Sequence, residues 1–128
     1  MSLLLDTHVF LWWKAADPRL PVSVRRLISS RRQLIWFSRV SLWEITVKQS
    51  LGKLEIPDSP ETIERDLLEQ GFDIVGLDAA HLERLALLPF HHRDPFDRLL
   101  IAQAISLDHT LVSADGAFEP YPVKRIWA

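Results

Sequence analysis

The sequence predicts an α/β fold in which a mostly parallel sheet of about five strands is covered on both faces by helices. Three observations carry that expectation. Short apolar runs recur along the chain, separated by segments of helix length. Serine, aspartate, proline and glycine stand where those helices would start and stop. The alternation of strand and helix then demands crossover connections, which lay the strands parallel.

Leu3 to Leu5 reads as a buried strand ending at Asp6, followed by a helix from near Val9 that carries Phe10, Leu11, Trp12 and Trp13. A second helix is expected over Val22 to Ser30, with Pro21 in its first turn, and Leu34 to Phe37 is the second strand. Ser41 and Glu44 have capping-box spacing, so a helix is expected over Ser41 to Leu51, stopped by Gly52. Asp58 or Ser59 with Pro60 opens the next helix, which closes at Gly71 before a third strand, Phe72 to Val75. Asp78 to Leu87 is a short helix, and Asp94-Pro95 starts a longer one reaching about Leu107. Thr110 to Ser113 and Val123 to Ile126 complete the strands.

A chain of 128 residues is long enough to bury roughly two-thirds of its unfolded surface, and residues 1–128 read as a single domain. Hydrophobic residues at 48% and charged residues at 25% exclude disorder and low-complexity scaffolds. With no cysteine, disulfides, thiol nucleophiles and cysteine-held metals are excluded, so any chemistry uses oxygen or imidazole. The opening residues lack a basic stretch, and Asp6 and His8 cut the first apolar run, which argues against a secretory signal. No stretch approaches the roughly 20 uncharged residues of a membrane span, and a cytoplasmic location is expected.

The formal charge of −2 hides an uneven distribution. Arg19, Arg25, Arg26, Arg31, Arg32 and Arg39 form a stretch without acids, whereas nine acids between Glu55 and Glu83 face the lone Arg65. The arginine stretch is a candidate flank for RNA, and its bland reading is a solvated surface.

In a parallel sheet, ligands gather at the carboxyl ends of the strands. Asp6 follows the first strand and Asp115 the fourth, while Glu44 and Asp97 are expected in the first turns of helices that begin near that edge. Two carboxylates about 5 Å apart at an effective dielectric of about 20 repel by on the order of 3 kcal/mol, so such a group either raises its pKa values or binds a cation. Oxygen ligands without cysteine favour Mg²⁺ or Mn²⁺, ions that suit phosphodiester cleavage. Each acid also has a structural role open to it. Glu44 fits a capping box with Ser41, Asp94 an N-cap before Pro95 with Asp97 as its reciprocal partner, and Asp115 a turn before Gly116. Asp6 has the weakest such role and is expected to be a fixed, exposed carboxylate.

Four segments together carry a family resemblance: Leu3-Leu4-Leu5-Asp6-Thr7-His8, Ser41-Leu42-Trp43-Glu44-Ile45 continuing into Leu51-Gly52-Lys53-Leu54, His92-Arg93-Asp94-Pro95-Phe96-Asp97-Arg98-Leu99-Leu100-Ile101-Ala102, and Leu111-Val112-Ser113-Ala114-Asp115. In that order, over nearly the whole chain, they resemble the PIN-domain ribonucleases, in particular the toxins of VapBC-type toxin–antitoxin systems. The resemblance implies a three-layer α/β/α sandwich, a pocket for Mg²⁺ or Mn²⁺, endonucleolytic cleavage of RNA, a cognate antitoxin and a homodimer. It places the family's acids on Asp6, Glu44, Asp97 and Asp115, with Asp94 as an alternative ligand or supporting group, and Thr7 and Ser113 as orienting hydroxyls.

Lys48, Arg93 and Arg98 are the cations nearest these acids in sequence and are candidates for phosphate contacts, with surface solvation or local salt bridges as the alternative. His8 is close enough to Asp6 to enter the pocket, and His91 and His92 lack zinc-finger spacing. Trp12, Trp13, Trp36, Trp43 and Trp127 read mainly as core or interface residues, although indoles also stack on unpaired bases. Two other classes compete with a nuclease. A non-catalytic protein-interaction module would show neither metal binding nor cleavage, and a small phosphoryl-transfer domain would need a second carboxylate beside Asp6-Thr7-His8.

Overall fold

The structure, a computed structural model, describes residues 2–30 and 32–127. Arg31 of the arginine stretch lies outside them. The observed order is β1 (Ser2–Leu5), α1 (Thr7–Lys14), α2 (Val22–Ser29), β2 (Leu34–Ser38), α3 (Arg39–Ser50), α4 (Pro60–Glu69), β3 (Asp73–Val75), α5 (Ala79–Leu87), α6 (Pro95–Leu107), β4 (Thr110–Val112), a 3₁₀ turn (Gly116–Phe118) and β5 (Arg125–Ile126). The five strands form one parallel sheet in the order β3-β2-β1-β4-β5. Among the described residues no helix is long and apolar enough to cross a membrane.

Strand periodicity divides the core. Leu3 and Leu5 point to one face of the sheet and Leu4 to the other, all fully buried. The first face packs against Val9 and Phe10 of α1, Val24 and Ile28 of α2, Ile45 of α3, and Ile63 and Leu67 of α4. The second packs against Leu99, Leu100, Ile101, Ala102 and Ala104 of α6 with Leu88, Phe118 and Tyr121. This is the expected three-layer α/β/α sandwich. Truncating any of these fully buried leucines to alanine would cost about 2–5 kcal/mol. Gly52 and Gly71 follow α3 and α4 with φ of 69° and 88°, the left-handed backbone that ends a helix and that a Cβ would strain.

Three expectations about helix starts are corrected. The first helix begins at Thr7 rather than near Val9, because the Asp6 carboxylate caps it by accepting from the His8 N–H. Pro21 stands at the N-cap position of α2, just outside its first turn. The third helix starts at Arg39, not Ser41: Ser38, the last residue of β2, caps it through the Val40 N–H. Ser41 is therefore internal, and Glu44 lies in the second turn with no capping role.

A carboxylate pocket at the carboxyl edge of the sheet

Asp6 is anchored at the end of β1, where its N–H donates to Val112 O at 3.0 Å and its C=O accepts the first bond of α1. The expected exposed carboxylate is instead buried, at 4% exposure. Central placement of β1 between β2 and β4 is what sinks it. Ser113 Oγ donates to Asp6 Oδ2 at 2.6 Å and accepts from the Asp115 N–H at 3.0 Å, so this hydroxyl orients one acid and fixes the backbone of another. Burial pushes the Asp6 carboxyl above its ordinary value; the Ser113 bond and the field of His8 oppose that rise, and the charge of Glu44 adds to it.

Glu44 is buried to 2% exposure, and its Oε2 meets Lys48 Nζ at 2.7 Å one helical turn away. Its other oxygen, Oε1, is buried without a hydrogen-bond partner. Burial works against the charge on Lys48, but the bond to Glu44 and the fields of Glu44, Asp94 and Asp97 outweigh it and hold the ammonium protonated.

On the outer side, Asp94 Oδ1 accepts from the Asp97 N–H at 2.9 Å and so caps α6. The Asp97 side chain does not return the cap. Its Oδ2 lies 2.9 Å from His92 Nε2, which is also 3.8 Å from Asp115 Oδ2. Burial, then the charges of Asp6, Asp94, Glu44 and Asp115, pushes the Asp97 carboxyl up to about 8. Asp115 spends Oδ1 on the Ala117 N–H at the start of the 3₁₀ turn. The turn role read for Asp115 and the cap read for Asp94 are thus real, yet both leave an oxygen for other work.

Acids from four separate segments therefore share one field. His92, Asp97 and Asp115 offer ligand atoms within 4.8 Å of one another, while Asp6 and Glu44 sit deeper. The orphaned oxygen of Glu44 and the raised carboxyl of Asp97 fit a site that is short of positive charge, and oxygen donors with one imidazole fit a hard divalent cation.

The other candidates divide. Thr7 Oγ1 donates to Ser41 Oγ at 2.8 Å rather than to an acid, so its hydroxyl ties α1 to α3. Arg93 is exposed in the loop before α6. Arg98 is buried instead, with Nη2 on Leu88 O at 3.1 Å and the guanidinium 4.0 Å from the Phe90 ring centre. That corrects the expected phosphate contact: the side chain is committed to the α5–α6 connection. Sequence reasoning missed His92, whose approach depends on Tyr121. The Tyr121 hydroxyl accepts the backbone N–H groups of His91 at 3.0 Å and His92 at 2.8 Å, pinning the loop before α6.

A five-stranded parallel sheet between helices, with clustered carboxylates at its carboxyl edge, defines a class of metal-fitting α/β/α domains. The family follows from comparison: the PIN domain model matches residues 3–124, and the chain belongs to the PIN-domain family. Similar solved structures include VapBC2 from Rickettsia felis bound to a promoter DNA fragment, at 17% identity and TM-score 0.73 over 98% of each chain. DNA-bound VapBC from Salmonella typhimurium follows at 17% identity and TM-score 0.70, covering 98% of this chain and 97% of that one. VapBC-5 from Mycobacterium tuberculosis shows 18% identity and TM-score 0.62 over 99% and 98%. Comparison with curated proteins finds no match.

Proposed function

We propose that the protein is a metal-dependent endoribonuclease, using Mg²⁺ or Mn²⁺, and the toxin of a toxin–antitoxin pair. The observation that carries this reading is the burial of Asp6 and Glu44 beside Asp97, a like-charge group that the α1 cap and the Lys48 pair leave short of positive charge. PIN domains are generally nucleases, and the structural neighbours named VapBC support an antitoxin partner. A cytoplasmic location, a cognate antitoxin and a second copy of the chain belong to the same proposal. Trp43, 55% exposed and edge-on to Phe96, offers an aromatic surface suited to such protein contacts.

Asp6, Asp97 and Asp115 would hold the cation, with Glu44 either completing that set or positioning water through Oε1. A bound divalent ion supplies charge neutralisation at the scissile phosphate and lowers the pKa of water. Ser113 fixes Asp6 Oδ2 through its hydrogen bond, and Lys48 balances Glu44. Asp94, having spent Oδ1 on its cap, supports the helix start that presents Asp97. Lys48 and Arg93 would be the cations to meet RNA phosphate.

The test is RNA cleavage with Mg²⁺ or Mn²⁺ by the wild type and by Asp6→Asn. Loss of a metal-binding carboxylate removes several kcal/mol of charge stabilisation, so cleavage should fall by on the order of a thousandfold with circular dichroism unchanged. Retained cleavage overturns the assignment.

A further inference from the structure

A cavity of about 350 Å³ opens next to the carboxylates and shares two of them. Its walls are Asp6, His8, Val9, Trp12, Arg19 and Asp115, with Ala114 between the fourth strand's end and the 3₁₀ turn. The carboxylate end is the proposed metal site. The far end has a different character, because Trp12 is half-buried and stands in an aromatic setting. His8 lies one turn before it on α1 at a ring separation of 6.2 Å, and Trp127 lies at 6.0 Å. The Arg19 guanidinium lies 5.1 Å from the Trp12 ring centre, held by Asp17 through Nε and Nη2. Its side chain is 68% exposed, and among the described residues its Nη1 makes no hydrogen bond.

Such a cavity joins a carboxylate end, which would meet a phosphate only through a held cation, to an indole with the Arg19 guanidinium over its ring. Trp12 stands six positions after Asp6, the N-cap of α1, about 9 Å further along the helix axis. Indole faces take any base by stacking, and a guanidinium beside them favours the adjoining phosphate. A base already paired in a duplex presents no free face, so the arrangement selects an unpaired nucleotide.

We propose that this cavity seats one unpaired nucleobase of the RNA, stacked on Trp12 in the place of the exposed Arg19 guanidinium, which turns to the adjoining phosphate, and so sets which phosphodiester reaches the carboxylates. The assignment rests on the nuclease reading for the identity of its ligand. Trp12 is a positioning residue here.

Adenosine 5′-monophosphate and ribose 5-phosphate, titrated into the wild-type protein with Ca²⁺ and followed by the indole N–H resonances, separate base from phosphate. The nucleotide should bind about 5- to 150-fold more tightly than the abasic sugar phosphate. Trp12→Ala should erase that preference while leaving ribose 5-phosphate binding unchanged, which also reports that the variant is folded, and Trp12→Phe should keep most of it. Equal binding of the two probes to the wild type, or a preference that survives in Trp12→Ala, overturns the seat. RNA cleavage distinguishes the two claims. A wild type that prefers the nucleotide yet cleaves no RNA overturns only the nuclease reading, whereas active protein whose KM is unchanged in Trp12→Ala overturns only the base seat.

Discussion

The inner and outer halves of the pocket are built on different terms. Asp6 and Glu44, at 4% and 2% exposure, each have a dedicated partner from the protein, Ser113 for one and Lys48 for the other. Asp97 and Asp115, with side chains 18% and 45% exposed, face each other across His92, and only Asp115 gives its other oxygen to a helix start. The difference teaches where rigidity and exchange reside. The inner acids are fixed by the fold, and the outer acids are left for whatever enters from solvent.

The largest effect that would break this contrast is expected at Ser113. In Ser113→Ala the Asp6 carboxylate loses its donor, and Mn²⁺ affinity should fall about 10- to 100-fold by calorimetry, the usual loss when a hydrogen bond supporting a metal ligand is removed. Unchanged affinity would mean that Asp6 needs no orientation. Lys48→Met comes next, because it leaves Glu44 buried without its counter-charge. Since Lys48 is itself about a third exposed, the expected loss is about 2 kcal/mol in urea unfolding, below the range for a fully buried pair. A stability change near zero would show that Glu44 is held by something other than its ammonium partner.

The outer half predicts a pH signature. With its carboxyl near 8 in the folded protein and an ordinary value of 3.8, Asp97 keeps a proton that the unfolded chain has already lost. Metal-free stability should therefore be greatest near pH 4, fall as pH rises toward 8 and level off above it, with the raised carboxyl of Asp6 acting in the same direction. Saturating Mg²⁺ should flatten the fall in melting temperature, because the cation binds the deprotonated carboxylates. A metal-free melting temperature that rises across this window would contradict the charge arrangement. The smallest effect is expected at Asp94→Asn. Asparagine caps as well as aspartate, so both stability and metal affinity should stay within about twofold of wild type. A large loss of affinity would move Asp94 from cap to ligand.

Much of the fold was legible because its strands are short apolar runs and its helices carry strong punctuation. Ser59-Pro60 and Asp94-Pro95 open helices at the expected places, and the glycines after α3 and α4 end them. The start of α3 was not legible, since Ser38 and Ser41 are both plausible caps. The tertiary structure decides, because β2 still pairs Ser38 with Val75 and the helix begins immediately afterwards. Glu44 reaches the pocket despite its misplaced register, as the helix still runs past the sheet edge. Depth was illegible as well: nothing local tells that Asp6 is sealed beneath neighbours drawn from β4 and α3. His92 was overlooked because the contact that brings its loop inward comes from a tyrosine 29 residues later. Arg98 was misjudged for the converse reason, since adjacency to Asp97 says nothing about which face of α6 it occupies.

The bond between Asp6 and Ser113 spans 107 residues of chain. At ordinary synthesis rates of about 5–20 residues per second, Asp6 emerges about 5–20 s before its partner has been made. During that interval β1 has no β4 beside it, and the pocket has neither its inner hydroxyl nor Asp115. The site is thus assembled late, and a nascent chain carries its first carboxylate for seconds without the means to use it.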